Sequence, residues 1–431
     1  MKFQTNNESK NKILLDNEKL GKRAGMHSFH RYYGKLIPAI PGAFIKEYTK
    51  EGDTVFDPFA GSGTTAVEAL MNNRNFFGIE INPLSRKIAS AKTRKLNPEL
   101  LERFNSEIME RVRSSELTFT EEDMPPLQNR DHWFKDYVQK DLLLIHKCTK
   151  DYFEEKEDFK DKADYLDFYM TTISAIIRNV SNADTMHVFP GVSKRMRRLE
   201  EEGKNNPNVI ETFERAIHKR AGYYTVYNGI TAEANILLGD STEYDLSAYK
   251  NTADLIVTNP PYISSVRYIE TLKLEMYWMN FIANVAEYNN LAHLMLGNDK
   301  LVKKDYLELE YTKYPEINAI IDEMGNIDMK SGKIIGEFFN KIEKVIRQMN
   351  RVLKVGKLAV IKISDSKIKH HKIETGRLMT LIAEQNGFAL SDVFIDKINE
   401  NSRSLLTARN TYSDIITQDY IIVWEKTNDI V

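Results

Sequence analysis

The sequence predicts an α/β fold: a doubly wound, mostly parallel sheet of about seven strands, broken by two insertions. Three observations carry that expectation. Short apolar runs alternate with helical stretches at both ends of the chain, the pattern of parallel strands with crossover helices. The first run, Thr54-Val55-Phe56, passes directly into a glycine-rich turn that opens a helix. Residues 97–230 are charged and mostly helical in character, so they interrupt the alternation rather than extend it.

Taken in order, residues 1–26 form a polar lead-in. Residues 27–96 hold the first part of the core: strand 54–56, a helix from Ala66 to Met71, strand 75–81 (NFFGIEI) and a helix from Leu84 to about Arg94. The insertion 97–230 contains a clear amphipathic stretch from Asp164 to Val180. Residues 231–283 return to the core with strands at Ile236-Leu237-Leu238 and Leu255-Ile256-Val257 and a helix from Val266 to Ile282. A smaller, polar and irregular insertion, 284–334, follows. Residues 335–431 complete the core with a helix from Ile335 to Leu353, strand 358–363, a helix from Ile373 to Glu384, and strands around Val393 and at Tyr420 to Trp424.

Composition narrows the class without choosing a function. Of 431 residues, 42% are hydrophobic and 28% charged, ordinary for a globular protein. Lys and Arg total 60 against 62 Asp and Glu, so any positive surface for nucleic acid must be local. A single cysteine, Cys148, excludes an intrachain disulfide and a Cys-based zinc cluster. Met1 to Leu20 lacks the apolar core of a signal peptide, and no apolar run reaches the roughly 20 residues of a membrane span; a cytoplasmic protein is expected. His27 and His30 lack a third ligand, so they read as structural and no metal is expected.

The turn Asp57-Pro58-Phe59-Ala60-Gly61-Ser62-Gly63-Thr64-Thr65 permits close approach of a ligand to the backbone at Gly61 and Gly63. It has neither P-loop spacing nor the third glycine of the dinucleotide fingerprint. Glu80 ends the next strand, where a carboxylate in an open α/β sheet can accept both ribose hydroxyls of a nucleoside. The plainer alternative is a strand-to-helix turn capped by Asp57. Further on, the strand from Ala253 runs into Asn259-Pro260-Pro261-Tyr262. Its prolines have no N–H, so the segment presents carbonyl acceptors, to which Asn259 adds its side-chain oxygen. Such a segment suits an incoming amino group, and Tyr262 offers an aromatic face to a planar base. Here the alternative is that the segment merely ends a strand.

The motif DPFAGSGTT (57–65) resembles the first cofactor motif of the DNA amino-methyltransferases, which act on adenine N6 or cytosine N4. Phe77 to Pro83 (FGIEINP) resembles the second, Leu238-Gly239-Asp240-Ser241 the third, and His27 to Gly42 (HSFHRYYGKLIPAIPG) a motif that some members place upstream. The resemblance covers 27–96 and 236–283, more weakly 335–365. It implies S-adenosyl-L-methionine as cofactor. Its binding residues would be Tyr32, Asp57, Pro58, Phe59, Ala60, Gly61, Ser62, Gly63, Thr64, Glu80, Ile81, Asn82 and Asp240, with Asp57 and the turn at the amino-acid part, Glu80 at the ribose and Asp240 at the adenine. Asn259, Pro260, Pro261 and Tyr262 resemble the catalytic motif. If Asn259 Oδ1 and the Pro260 carbonyl accept its two N–H bonds, an exocyclic amine can pyramidalise and aim its lone pair at the sulfonium methyl. The base must first be flipped out of the stack. Asn at the first position leans toward adenine N6. Arg267-Tyr268, the run Leu272 to Trp278, HRYYGKLIP and Glu80 to Leu84 look like the cytosine N4 group. Cytosine C5 chemistry would need a nucleophilic cysteine, and Cys148 lies in a helical stretch.

The insertion 97–230 is outside the resemblance and is the expected target-recognition region. Ser193-Lys194-Arg195-Met196-Arg197-Arg198 puts four cations in five positions, so Ser193, Lys194, Arg195, Arg197 and Arg198 are candidate phosphate contacts. The equal alternative is a solvated face answered by Glu200, Glu201 and Glu202. Asn401 to Thr411 is a further polar, cationic candidate. The resemblance implies double-stranded DNA as partner and a modification enzyme paired with a restriction endonuclease acting on the same site. RNA guanine-N2 or protein-glutamine amide methylation, and a non-catalytic nucleic-acid-binding subunit, stay open as alternatives.

Overall fold

The computed structural model describes residues 25–263, 267–297, 301–397 and 418–430. Seven strands form one sheet: β1 (Thr54–Asp57), β2 (Asn75–Glu80), β3 (Ala234–Leu238), β4 (Ala253–Thr258), β5 (Leu353–Ile363), β8 (Phe388–Lys397) and β9 (Gln418–Lys426), in spatial order β3-β2-β1-β4-β5-β9-β8. The first five run parallel, and β9 pairs antiparallel with both β5 and β8. Chain order reverses between β1 and β4, so a crevice opens beyond their carboxyl ends.

The central strands are short and apolar because both faces are covered. On one face Val55, Leu255, Val257, Val360 and Ile421 pack with Ile40, Phe44 and Ile45 of α1 (Ala39–Tyr48) and Ala66 and Ala69 of α2 (Thr64–Met71). On the other, Phe56, Phe77, Ile256, Ile361 and Trp424 meet Ile335, Phe339, Ile342 and Ile346. Phe56 and Phe77 stack at 4.5 Å between ring centres.

The insertion is helical, as its composition predicts. One-turn helices aside, α3 (Pro83–Thr93) leads into α4 (Pro98–Ser114), α5 (Asp136–Glu154), α6 (Lys162–Val180), α7 (Lys194–Glu201) and α8 (Val209–Ala221). These share an apolar core with Val67 and Leu70 of α2 and Leu84 and Ile88 of α3, so the insertion is packed onto the sheet's own helices. His27 and His30 pin the preceding segment into it. His27 Nε2 lies 2.7 Å from Glu68 Oε1. His30 Nδ1 lies 2.7 Å from the Arg31 carbonyl and its Nε2 3.1 Å from Ser174 Oγ. Burial pushes the His30 imidazole down to about 3, so the ring is neutral: Nδ1 donates and Nε2 accepts.

Four local expectations are corrected. Residues 284–334 are largely helical rather than irregular: α10 (Val285–Leu294) and α11 (Pro315–Ile327). Asn284 Oδ1 caps the first through Glu287 N at 3.0 Å, and Pro315 opens the second. The single helix expected from Val266 to Ile282 is instead Tyr268–Thr271 followed by α9 (Lys273–Trp278), separated by Leu272 at φ −111°, ψ 14°. A hairpin of β6 (Ser366–Ile368) and β7 (His371–Ile373) precedes α13 (Thr375–Glu384), where only a helix was read. Its turn sets Lys369 and His370 at φ +50° and +70°, without the Gly or Asn that normally marks such a turn. The helix read from Ile335 is α12 (Met329–Val352), which begins six residues earlier.

Phe56 is fully buried at the base of the crevice. Phe56→Ala removes its ring from both the stack with Phe77 and the sheet core. It is expected to destabilise the protein by about 3–5 kcal/mol, measured as a lowered urea unfolding midpoint.

Candidate active site

An open cleft of about 870 Å³, including the solvent at its mouth, lies beyond the carboxyl ends of β1, β2 and β4. Its wall includes Tyr32, Asp57, Pro58, Phe59, Ala60, Gly61, Ser62, Thr64, Glu80, Ile81, Asp240, Asn259 and Pro261. Parallel pairing explains the convergence. Phe56 is level with Phe77 and Ile256, so Asp57, Glu80 and Asn259 leave the sheet at one edge.

The turn after β1 is held from three sides. Asp57 Oδ1 accepts from Phe59 N at 2.9 Å and from Thr258 Oγ1 at 2.6 Å. Glu80 Oε2 accepts from Gly61 N at 2.8 Å, and Oε1 from Asn82 N at 2.8 Å. The buried Lys92 donates to the Ser62 carbonyl at 2.6 Å. Gly61 sits at φ +52° and Gly63 at φ +75°; a Cβ on Gly63 would lie 2.9 Å from Ala89 Cβ, so this glycine lets α2 pack on α3.

Burial pushes the Asp57 carboxyl up to about 6, against hydrogen bonds from Thr258 and Phe59. It pushes Glu80 up to about 7, against the N–H groups of Asn82 and Gly61. Two desolvated carboxylates therefore face one cleft, with Asp240 across from them on its wall. Asp240 Oδ1 is itself fixed by Thr242 N at 2.8 Å.

Asn259 donates through Nδ2 to the Gly34 carbonyl at 3.3 Å. That bond orients the amide and leaves Oδ1 as an acceptor, with Tyr262 Oη 3.4 Å away. Tyr262 Oη also lies 3.5 Å from Asp419 Oδ1. On the cleft wall Tyr268 stacks on Tyr32 at 6.2 Å and 22°.

Of the residues expected at the site, four are not on the cleft wall. Asn82 is a helix cap: its Oδ1 accepts from Leu84 N at 3.0 Å and Ser85 N at 3.2 Å. Gly63 serves packing, and Pro260 and Tyr262 flank the wall residues Asn259 and Pro261 in the chain. Ser193 caps α7 by accepting from Met196 N at 3.2 Å, and Arg195 Nε lies 3.2 Å from Asp184 Oδ2. Lys194, Arg197 and Arg198 are exposed, with Arg198 3.7 Å from Glu202. Residues 401–411 lie outside the described residues. Sequence reasoning missed Gly34, Lys35 and Leu36, although they lie in the upstream motif, and Tyr268, although it lies in a quoted segment. It had no signal for Leu294, Met295, Leu296 and Lys341, which reach the cleft from α10 and α12.

The donor set fits S-adenosylmethionine. Carboxylates raised by burial gain from an ammonium group and a ribose diol, and the apolar Phe59, Ile79 and Ile81 beside them suit a planar base. The fold is that of the S-adenosylmethionine-dependent methyltransferases, and the cleft suits that cofactor. The family profile described as DNA methylase matches residues 5–90. The chain is 27% identical over 358 residues to the Type II methyltransferase M.MvaI of Kocuria varians, covering 76% of this chain and 74% of that one. It is 23% identical over 460 aligned positions to the Type II methyltransferase M.BsoBI of Geobacillus stearothermophilus, covering 94% and 86%. A TehB-like SAM-dependent methyltransferase structure from Corynebacterium glutamicum aligns over 98% of this chain and all of its own at 9% identity, with a TM-score of 0.31. By the profile match and these relatives, the chain is similar to DNA methyltransferases.

Because the Glu80 carboxyl is held near 7, a ligand that needs it ionised must displace its proton at lower pH. Cofactor affinity is therefore expected to fall about tenfold between pH 8 and pH 6, read by isothermal titration. Glu80→Gln is expected to weaken binding at pH 8 and flatten that dependence.

Proposed function

We propose that this protein methylates the exocyclic amino group of a base in double-stranded DNA, as the modification enzyme of a restriction–modification system. The observation that supports it best is the orientation of Asn259: its Nδ2 is committed to the Gly34 carbonyl, so Oδ1 is the acceptor offered beside the cofactor cleft. When bound, S-adenosylmethionine supplies an electrophilic methyl group. Asp57 and the turn would hold its amino-acid part, Glu80 its ribose and Asp240 its adenine.

The chain's own residues position the acceptor. An exocyclic amine is a weak nucleophile because its lone pair is delocalised into the ring. Asn259 Oδ1 and the Pro260 carbonyl accept its two N–H bonds, favouring a pyramidal nitrogen whose lone pair is free to attack. Asn259 is no base, so the amine loses its proton after methyl transfer. A paired base is out of reach, so the target is flipped from the duplex at a cost of a few kcal/mol. Stacking on Tyr262, with the Tyr32–Tyr268 pair nearby, offsets part of that cost. The acceptor pair serves adenine N6 and cytosine N4 alike; adenine is favoured here on Asn at position 259 alone. The Type II methyltransferase relatives support the link to restriction–modification.

Asn259→Ala removes the oriented acceptor and leaves the carboxylates intact. Methyl transfer to plasmid DNA is expected to drop at least about a hundredfold, with cofactor affinity essentially unchanged by titration. Retained turnover would contradict the proposed role.

A further inference from the structure

We infer that Met186 is an apolar wedge that enters the duplex at the target site and fills the gap left by the flipped base. This rests on the DNA reading above and adds a residue to it.

Met186 stands at the tip of the loop between α6 and α7 with 79% of its surface exposed, the most exposed large apolar residue among those described. The loop that carries it is fixed with unusual care. Arg178, 2% exposed at the end of α6, donates to three carbonyls of this one loop: Asp184 at 3.0 Å, His187 at 3.3 Å and Phe189 at 2.8 Å. The buried Asp184 accepts from Met186 N at 2.8 Å and pairs with Arg195, while its own N–H donates to the Gly191 carbonyl at 2.9 Å. Val188 is buried as an apolar anchor, whereas Thr185, Met186 and His187 are exposed. All three bonds run from Nη2, while the buried Nε and Nη1 find no partner, so what this guanidinium bonds is this one loop. Here its bonds hold a rigid apex whose only large apolar group faces water.

The apex stands beside the active site. Arg31 Nη2 donates to the His187 carbonyl at 2.6 Å and Tyr33 Oη does so at 2.9 Å. Tyr33 lies between Tyr32 and Gly34 of the cleft wall, and Gly34 holds Asn259. The connection from wedge to catalytic amide thus runs through His187, Tyr33 and Gly34. On its other flank the loop leads into α7, with Lys194, Arg197 and Arg198 exposed where phosphates would pass. A bare methionine between cations is the chemistry of a side chain that enters a base step. Preorganisation matters because a loose loop would lose in ordering what insertion recovers.

The test compares two duplexes. Sequencing plasmid DNA methylated by the wild-type protein gives the target position. Synthetic duplexes then carry that site with the target base either paired normally or opposite an abasic position, where flipping breaks no base pair. Met186→Ala is expected to slow methylation of the paired duplex at least about tenfold and to leave the abasic duplex at the wild-type rate. Met186→Leu is expected to retain both rates. A Met186→Ala protein with wild-type rate on the paired duplex would overturn the inference, as would an equal loss on both duplexes. Absence of any methylated DNA from the wild-type protein would instead overturn the underlying DNA reading, before any variant is made.

Discussion

The parallel register of β1 with β2 and β4 is the constraint on which the site depends. It brings the ends of three strands, distant in sequence, to one edge, where Asp57, Glu80 and Asn259 emerge. Two hydrogen bonds then lock the edge together: Thr258 Oγ1 to Asp57 across β4 and β1, and Gly61 N to Glu80 across the glycine turn and β2. The carboxylates proposed to hold the cofactor are therefore braced against the strand that carries Asn259, the proposed acceptor. Methyl transfer needs such bracing, because in-line geometry tolerates little displacement.

The arrangement carries an electrostatic cost. Asp57 and Glu80 sit where burial disfavours their charge, with backbone N–H groups and a threonine hydroxyl recovering only part of it. A cationic, hydroxyl-bearing ligand such as the proposed cofactor would supply the remainder. The helix α3 and the helical insertion support the same region from outside. Lys92 of α3 grips the Ser62 carbonyl, and His30 ties the upstream segment to Ser174 of α6, which keeps Gly34 in place for Asn259.

Much of this was legible in the sequence. The glycine turn and Glu80 sat at recognisable positions, since each combines a strand end with a residue type the chemistry requires, and both line the cleft. Asn259 was legible for the same reason. Asn82 Oδ1 caps α3, a role that spacing alone does not separate from ligand contact. The hairpin after β5 escaped because ordinary residues occupy its left-handed turn. Leu294 to Leu296 and Lys341 escaped because their approach to the cleft depends on how α10 and α12 pack, which no local pattern encodes. No local pattern marks Arg178 and Asp184; only their burial and bonds reveal that they build a loop.

The central claim is transfer of a methyl group to an amino nitrogen of a DNA base. The most direct measurement is tritium transfer from labelled S-adenosylmethionine into unmethylated genomic DNA, followed by nucleoside chromatography. Label in N6-methyldeoxyadenosine or N4-methyldeoxycytidine is the predicted result, and which of the two carries it identifies the base. Unlabelled DNA from a protein that still binds the cofactor would contradict the account and turn attention to RNA or protein amide substrates.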